Sequence, residues 1–533
     1  MTRLFLLFTL LTGSFGTSAA SDLPRLVVII SVDQLRRDRL TDDLPGFLGR
    51  LTREGRVFAD ADLDHAITTT CPGHAVIVTG VSPGRAGIPD NRFVDQETFE
   101  DRYCVDDKNN DYGVLGGKGN RSPRNLRVST LGDWMKDHDP DSKVFSISGK
   151  DRAAIMMGGH KADGVYWYDA RTGRFTTSGY YAHSLPDYIT AFNGKQPLVD
   201  GHLRSVPETW IHPEGSLRKD DYEGESDSNS RISGHALASG DDEDIFGQIY
   251  NSPVIDTQSI RLAELIVENE HLGEREGTDL LTISLSSTDI VGHNYGPRSA
   301  EAEDTLRNID ELLDEFVADL ESKLGENLLV ALTADHGVAE LTEYKTEQGT
   351  NNCPEPGRLS ILPGLLGTFW HAYKEFTFPF DMPNDLIKNA GPQVYLNRRY
   401  LRDNELEYDE VLASMRTYFL DWNVMKGVWT REEILEGNTN IARLFRNSLT
   451  DDRSGDLTLQ IHRDCTLVIG SGTTHGSVYD YDRDVPVVFY GWGVDAKEVR
   501  GPAHSVDIGP TLAGHLGISM PDDLDGKILL LAD

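Results

Sequence analysis

Three apolar runs constrain this chain more than any other feature: Leu26 to Val32, Leu280 to Leu285 and Leu329 to Thr333. Short aliphatic runs of this kind read as buried strands, and an open α/β sheet places its site at the carboxyl ends of such strands. Each run delivers polar side chains there. Asp33 follows the first, Asp289 and His293 occupy what reads as a loop after the second, and Asp335 and His336 follow the third. His475 is a sixth potential ligand farther along. Mixed carboxylate and imidazole donors suit zinc or, less selectively, another borderline divalent metal, whereas an all-oxygen set would favour magnesium or calcium. Six donors divide as three and three, and two ions about 4 Å apart can clamp the attacking and leaving oxygens of an in-line displacement. Any one Asp or His after a strand is ordinary; the set together has the pattern of a two-metal hydrolase.

The rest of the chain fits one α/β sheet flanked by helices. KVFSIS, ending at the polar GKDR, reads as a further strand, as does Val485 to Tyr490. Helical spacing of Leu306, Ile309, Leu313, Phe316, Val317 and Leu320 predicts a helix packed on the sheet, and HSVDIGPTLAGHLGI reads as a closing helix. Two stretches, about 168–255 and 342–471, are irregular and polar and read as cap-like insertions. The organisation expected is a leader over 1–20 and one α/β domain over 21–533 interrupted by those insertions.

Residues 1–20 carry a single cation, Arg3, an apolar run from Leu4 to Leu11 and small residues at Ser18 and Ala20. That is the composition of a cleavable secretory signal. With no later run long enough to span a bilayer, a periplasmic or secreted protein without stable membrane association is expected. The formal charge of −35 argues against a nucleic-acid partner bound through a basic surface. The acidic patch from Asp220 to Asp244 reads as a solvated insertion rather than a calcium site. Of the four cysteines, Cys104, Cys353 and Cys465 are the structural candidates, with at least one thiol left free.

Between the first ligand and the others lies TTTCPGHAVIVTG. Thr70 stands where an N-cap belongs, its hydroxyl at the positive end of a helix near anion-binding N–H groups. Metal coordination of that hydroxyl would favour the alkoxide and make threonine a useful nucleophile. Capping alone is the ordinary role for such a residue. Cys71 offers a rival as a thiolate or a formylglycine precursor, but a sulfatase motif places Pro two residues after the Cys and Arg two further. Here Pro72 follows directly and no arginine appears until Arg85, so a small apolar Cys beneath the site is the economical reading.

TCPGH, PDN, GKDR, STDIVGH, ADHG and TTHGS together resemble the alkaline phosphatase superfamily, and the KDR segment resembles its single-chain, periplasmic, phosphate-insensitive phosphomonoesterase branch. Motif order is similar from about Leu26 to Ile518. The resemblance implies an alkaline-phosphatase-like central, mostly parallel sheet and two zinc ions. One would be held by Asp289, His293 and His475, the other by Asp33, Asp335 and His336, with Thr70 as nucleophile and further ligand. It also implies that Asn91, Lys150 and Arg152 contact phosphate oxygens. One departure is Ala86 in AGIPDN, where relatives often carry histidine.

The activity expected is zinc-dependent hydrolysis of small-molecule phosphate monoesters through a phosphothreonine, with broad specificity and a monomeric enzyme. A phosphodiesterase or nucleotide pyrophosphatase on the same scaffold is the alternative, separated in sequence only by Lys150 and Arg152. A non-catalytic exported zinc-binding protein would need neither Thr70, Asn91 nor the basic pair.

Overall fold

The computed structural model describes residues 23–194, 207–237, 239–354, 386–468 and 470–533. The leader read over 1–20 lies outside them. Leu26–Val32 is buried along its whole length and is the central strand of a nine-stranded sheet. It pairs in parallel with Asp279–Leu285 on one side and Leu328–Thr333 on the other, and Val144–Ser148 and Gly164–Asp169 extend the parallel block beyond Asp279–Leu285. Antiparallel pairing begins at the flanks, with Val487–Gly491 beside Leu328–Thr333 and Arg174–Thr176 beside Gly164–Asp169. Register aligns Val32 with Leu285 and Ser31 with Thr333, so the adjacent carboxyl ends finish level.

Continuous apolar strands are what a sheet covered on both faces requires, and alternation along each strand splits its side chains between two cores. Leu26, Val28, Ile30 and Val32 join one core with Leu281, Ile283, Val330 and Leu332. Val27 and Ile29 join the other with Leu280, Leu329 and Ala331. Helices Phe47–Glu54, Val254–Glu270 and Ala300–Leu324 contribute to the first core. Thr70–Thr79, Leu131–His138 and Ile508–His515 contribute to the second. The amphipathic stripe from Leu306 to Leu320 lies buried against the sheet as its spacing predicts.

Within 168–255, Arg174–Thr176 supplies the sheet's edge strand, and the short strands Thr209–Trp210 and His235–Ala236 pair as a separate ribbon. Within 342–471, Ile387–Ala390, Gln393–Leu396, Met425–Thr430 and Leu457–Ile461 form a four-stranded antiparallel sheet. The helix Tyr408–Leu420 packs on that sheet around Val394, Met415, Phe419 and Val428, a core separate from the two that sandwich the central sheet.

All four cysteines are paired, Cys71 with Cys104 and Cys353 with Cys465, which corrects the expectation of a free thiol and of Cys71 as a purely apolar side chain. Sequence spacing cannot choose among three connectivities. The choice here follows from the fold: the Cys104 N–H donates to the Asn91 carbonyl at 3.0 Å, which brings its chain against the start of Thr70–Thr79. Alkylation of the unreduced, denatured protein should therefore modify no cysteine. Proteolysis without reduction should yield one peptide pair joining 71 to 104 and another joining 353 to 465; any alkylated thiol or exchanged partner contradicts the pairing.

Candidate active site

Four neighbouring parallel strands release the candidate residues at one edge of the sheet. In sheet order Leu328–Thr333 leads to Asp335 and His336, Leu26–Val32 to Asp33, Asp279–Leu285 to Asp289 and His293, and Val144–Ser148 to Lys150 and Arg152. Asp289 and His293 do not lie in a loop, as the sequence reading had it. They sit one turn apart on the helix Ser287–Tyr295, a spacing that puts both on one face. The His293 Nε2 is 3.2 Å and the His475 Nε2 3.5 Å from Asp289 Oδ1. The His336 Nε2 is 3.5 Å from Asp33 Oδ1 and 3.2 Å from Asp335 Oδ2. The six residues thus gather into two groups of three whose donor atoms converge. The groups adjoin, with the rings of His336 and His475 stacked 3.5 Å apart.

Each imidazole is oriented by a backbone carbonyl. Nδ1 of His293 meets the Thr473 oxygen at 2.8 Å, that of His475 the Thr68 oxygen at 2.7 Å, and that of His336 the Gly337 oxygen at 3.0 Å. A donated Nδ1–H leaves Nε2 as a lone pair facing the carboxylates, the arrangement of metal-ligating histidines. Asp33 Oδ1, Asp335 Oδ2 and His336 Nε2 are buried without a hydrogen-bond partner. Buried polar atoms of this kind are costly unless paired or coordinated, so the donor set fits divalent cations, with zinc favoured by its nitrogen content.

Three carboxylates in one buried cluster dominate the electrostatics. Burial pushes the Asp33 carboxyl well up, and the neighbouring Asp335 carboxylate adds to the shift. Burial acts in the same direction on Asp289, but the Lys150 ammonium and then His293 outweigh it and hold that carboxyl well below the usual range. Burial also takes His336 down to about 3. Lys150 is itself buried. Its Nζ bridges Asp33 Oδ2 and Asp289 Oδ2, the latter at 2.5 Å. Burial alone would lower its pKa, and the carboxylates of Asp289 and Asp33 reverse this and raise it. Its contacts are with the candidate ligand carboxylates.

Thr70 is the first residue of the helix Thr70–Thr79, and Thr69 is the N-cap, one position earlier than the sequence reading placed it. The Thr69 side chain does not cap the helix; its hydroxyl donates to Asp90 Oδ1 at 2.9 Å. Thr70 Oγ1 consequently remains at the helix N-terminus, where Arg152 Nη2 donates to it at 3.3 Å. Arg152 is steadied by Tyr103, whose hydroxyl lies 3.5 Å from Nη1 and donates to Asp151 Oδ1 at 2.5 Å. Asn91 Oδ1 accepts the Cys71 N–H at 2.7 Å, which leaves its amide N–H₂ for another acceptor. Beside these groups a cavity of about 450 Å³ is lined by Asn91, His293 and His475 and, from the second insertion, by Pro392, Phe445 and Leu459.

Several side chains that hold the site were not singled out from sequence. Gln34 has a left-handed backbone, φ 69°, that turns its N–H onto Asp335 Oδ1 at 3.0 Å while its side-chain amide donates to Asp289 Oδ1 at 2.7 Å. One residue thereby ties both ligand groups. His74, fully buried, places Nδ1 2.9 Å from the Thr70 carbonyl and 3.3 Å from Asp335 Oδ2, with Nε2 2.9 Å from Ser284 Oγ. The signal was present in TCPGH, because position 74 is one helical turn after Thr70. Gly73 lets that helix approach: a Cβ there would lie 2.1 Å from the Asp335 carbonyl oxygen. His74→Ala should weaken metal binding about 10- to 100-fold, the usual effect of losing such an orienting partner. Chelator competition on folded protein checks this, and unchanged affinity would assign His74 to packing alone.

The family model for type I phosphodiesterase / nucleotide pyrophosphatase matches residues 27–482. A Myroides odoratus protein named a calcium-transporting ATPase is 32% identical over 96% of this chain and 95% of its own length. Alkaline phosphatase PafA of Elizabethkingia meningoseptica is 32% identical over 97% of this chain and 96% of its own. The crystal structure of wild-type alkaline phosphatase PafA superposes with a TM-score of 0.82 at 30% identity, covering 95% of this chain and 98% of that one. No helix among the described residues is long and apolar enough to cross a membrane. With fold, ligand geometry and full-length similarity in agreement, the chain belongs to the alkaline phosphatase superfamily, within its type I phosphodiesterase / nucleotide pyrophosphatase family and alongside the PafA-like alkaline phosphatases.

Proposed function

We propose that this protein is a zinc-dependent phosphomonoesterase that transfers the phosphoryl group of small phosphate monoesters first to Thr70 and then to water. The observation that carries the reading is the Thr70 hydroxyl, at a helix N-terminus within 3.3 Å of a guanidinium and beside two convergent ligand groups. Two zinc ions, held by Asp289, His293 and His475 and by Asp33, Asp335 and His336, would supply Lewis-acid stabilisation of the attacking and leaving oxygens.

The chain's own groups do the rest. Thr70 Oγ1 forms the bond to phosphorus as the ester P–O bond breaks, and the proton it gives up leaves on the departing alcohol. Water then forms a new P–O bond as the Oγ1–P bond breaks, one of its protons restoring the Thr70 hydroxyl and the other leaving with hydrogen phosphate. The helix N-terminus, the Asn91 amide and the Arg152 guanidinium are disposed to hold non-bridging oxygens throughout. Phosphoryl transfer asks for positioning and charge stabilisation rather than covalent assistance, which suits a site of fixed donors. A monoester dianion carries more charge than a diester, and the Arg152 fork and Lys150 ammonium address that excess. The Lys150 Nζ, seated on Asp33 and Asp289, would add its positive charge beside the phosphate. The alcohol would occupy the cavity that Pro392, Phe445 and Leu459 line together with Gln460 and Tyr479, and its apolar side chains support broad specificity. Residues 1–20 and two disulfides support a periplasmic or secreted location.

Initial rates of the zinc-loaded mature protein on p-nitrophenyl phosphate and bis-p-nitrophenyl phosphate test the reading; the monoester should lead in kcat/KM, and a diester preference would move the function to phosphodiesterase. Replacing Lys150 and Arg152 together by Ala should cost the monoester at least about 10²-fold more than the diester, each lost ionic contact being worth about 1.5–3 kcal/mol. Equal losses on both substrates contradict the role of the pair. Thr70→Ala should abolish turnover while zinc content stays as in the parent; retained turnover would move the nucleophile elsewhere.

A further inference from the structure

A third group of donors lies apart from the two already described. His212 follows the strand Thr209–Trp210, His235 begins the paired strand His235–Ala236, and Glu301 stands in the first turn of the helix Ala300–Leu324. All three side chains are fully buried. The His212 and His235 Nε2 atoms face each other at 3.1 Å, and Glu301 Oε1 lies 3.6 Å from the first and 3.4 Å from the second. Neither carboxylate oxygen has a hydrogen-bond partner. The His212 Nδ1 meets the Pro213 carbonyl at 3.0 Å, and the His235 Nδ1 meets the Asn229 carbonyl at 2.8 Å. These are the same backbone-carbonyl contacts that orient His293, His336 and His475, and they again leave Nε2 as a lone pair. Two lone pairs at 3.1 Å and a desolvated carboxylate repel one another unless a metal ion or a proton lies between them.

We propose that His212, His235 and Glu301 form a third zinc site, structural rather than catalytic. A tetrahedral zinc with bonds of about 2.0–2.1 Å has ligand-to-ligand edges of about 3.3–3.4 Å. The three separations here, 3.1, 3.4 and 3.6 Å, bracket that edge, and Oε2 of Glu301, without a hydrogen-bond partner, is free to make the carboxylate bidentate. The surroundings suit a closed site: the Trp210 ring lies 4.9 Å and the Tyr295 ring 5.2 Å from the His235 ring, shutting out water.

The position gives the ion a task. It staples the ribbon of the first insertion to the main body between Tyr295, two residues past His293, and the helix Ala300–Leu324. The stapled segment in turn supports the surroundings of His293, because the Ser226 N–H donates to the Asn294 carbonyl at 2.8 Å and the Gly472 N–H to the Gly224 carbonyl at 2.6 Å. Glu303 fastens the same segment through the Ser216 N–H at 2.9 Å and the Leu217 N–H at 2.7 Å.

Elemental analysis of the zinc-loaded, gel-filtered mature protein should give three equivalents per chain, falling to two in Glu301→Gln and in His212→Ala. The melting temperature should fall with the lost ion, while the initial rate on p-nitrophenyl phosphate below the melting range stays within about threefold of the parent. Two equivalents in the parent, as a protonated histidine–glutamate pair without metal would give, or three in both variants, overturns the site. Should the variants not fold, anomalous diffraction at the zinc edge from parent crystals decides. A peak among His212, His235 and Glu301 is expected, and peaks at the other two donor groups without one here refute it.

Discussion

Three carboxylates, Asp33, Asp289 and Asp335, are carried into the protein at the carboxyl ends of adjacent strands, and much of the local structure answers that placement. An unpaired buried carboxylate is among the most costly groups a fold can hold, and removing one partner of such a charge typically costs about 3–5 kcal/mol. Lys150 meets two of the three, Gln34 donates to two, and His74 stands against the third. The cation demand that remains is what fits the edge to a metal rather than to a salt-bridge network alone. Rigid parallel strands with level ends can hold such a cluster to the tolerance that catalysis requires, where loops alone would not.

The sheet was legible because buried parallel strands leave an uninterrupted aliphatic signature, and strands such as Leu26–Val32 and Val144–Ser148 came out close to their observed limits. Asp33, Asp335 and His336 come just after strand ends and Asp289 and His293 lie on the helix that follows one, so adjacent strands bring these five together, while His475 reaches them from a separate segment. What sequence misjudged were relations between distant segments or of phase. Thr70 was placed one residue out because consecutive threonines offer no local sign of which one caps; the choice is made by Asp90, which captures Thr69. Gln34 was overlooked because its importance rests on a positive φ that no side-chain preference announces. The cysteine pairing and the meeting of His212 and His235 with Glu301, residues far apart along the chain, are products of packing and leave no periodic trace.

The candidate ligands and the cavity beside them come from different parts of the chain. The sheet edge supplies the ligands, Lys150 and Arg152, while the cavity beside them takes Pro392, Phe445 and Leu459 from a cap with its own sheet and its own core. A cap that is packed independently can change its lining without disturbing the ligand cluster, the usual division between a scaffold and the segments that vary on it. The Cys353–Cys465 bond ties the two ends of that cap together across 112 residues, and Cys465 itself borders the cavity.

The bond between Cys71 and Cys104 has a different bearing, on when the site is complete. Cys71 follows Thr70, and Cys104 follows Tyr103, the residue against which Arg152 rests. A single covalent link therefore joins the segment that offers the hydroxyl to the segment that steadies the guanidinium. A newly made chain kept among reduced thiols holds every ligand yet lacks this link, and gains it only where thiols are oxidised. Completion of this corner of the candidate site is thus coupled to the redox state of the surroundings in which the chain folds.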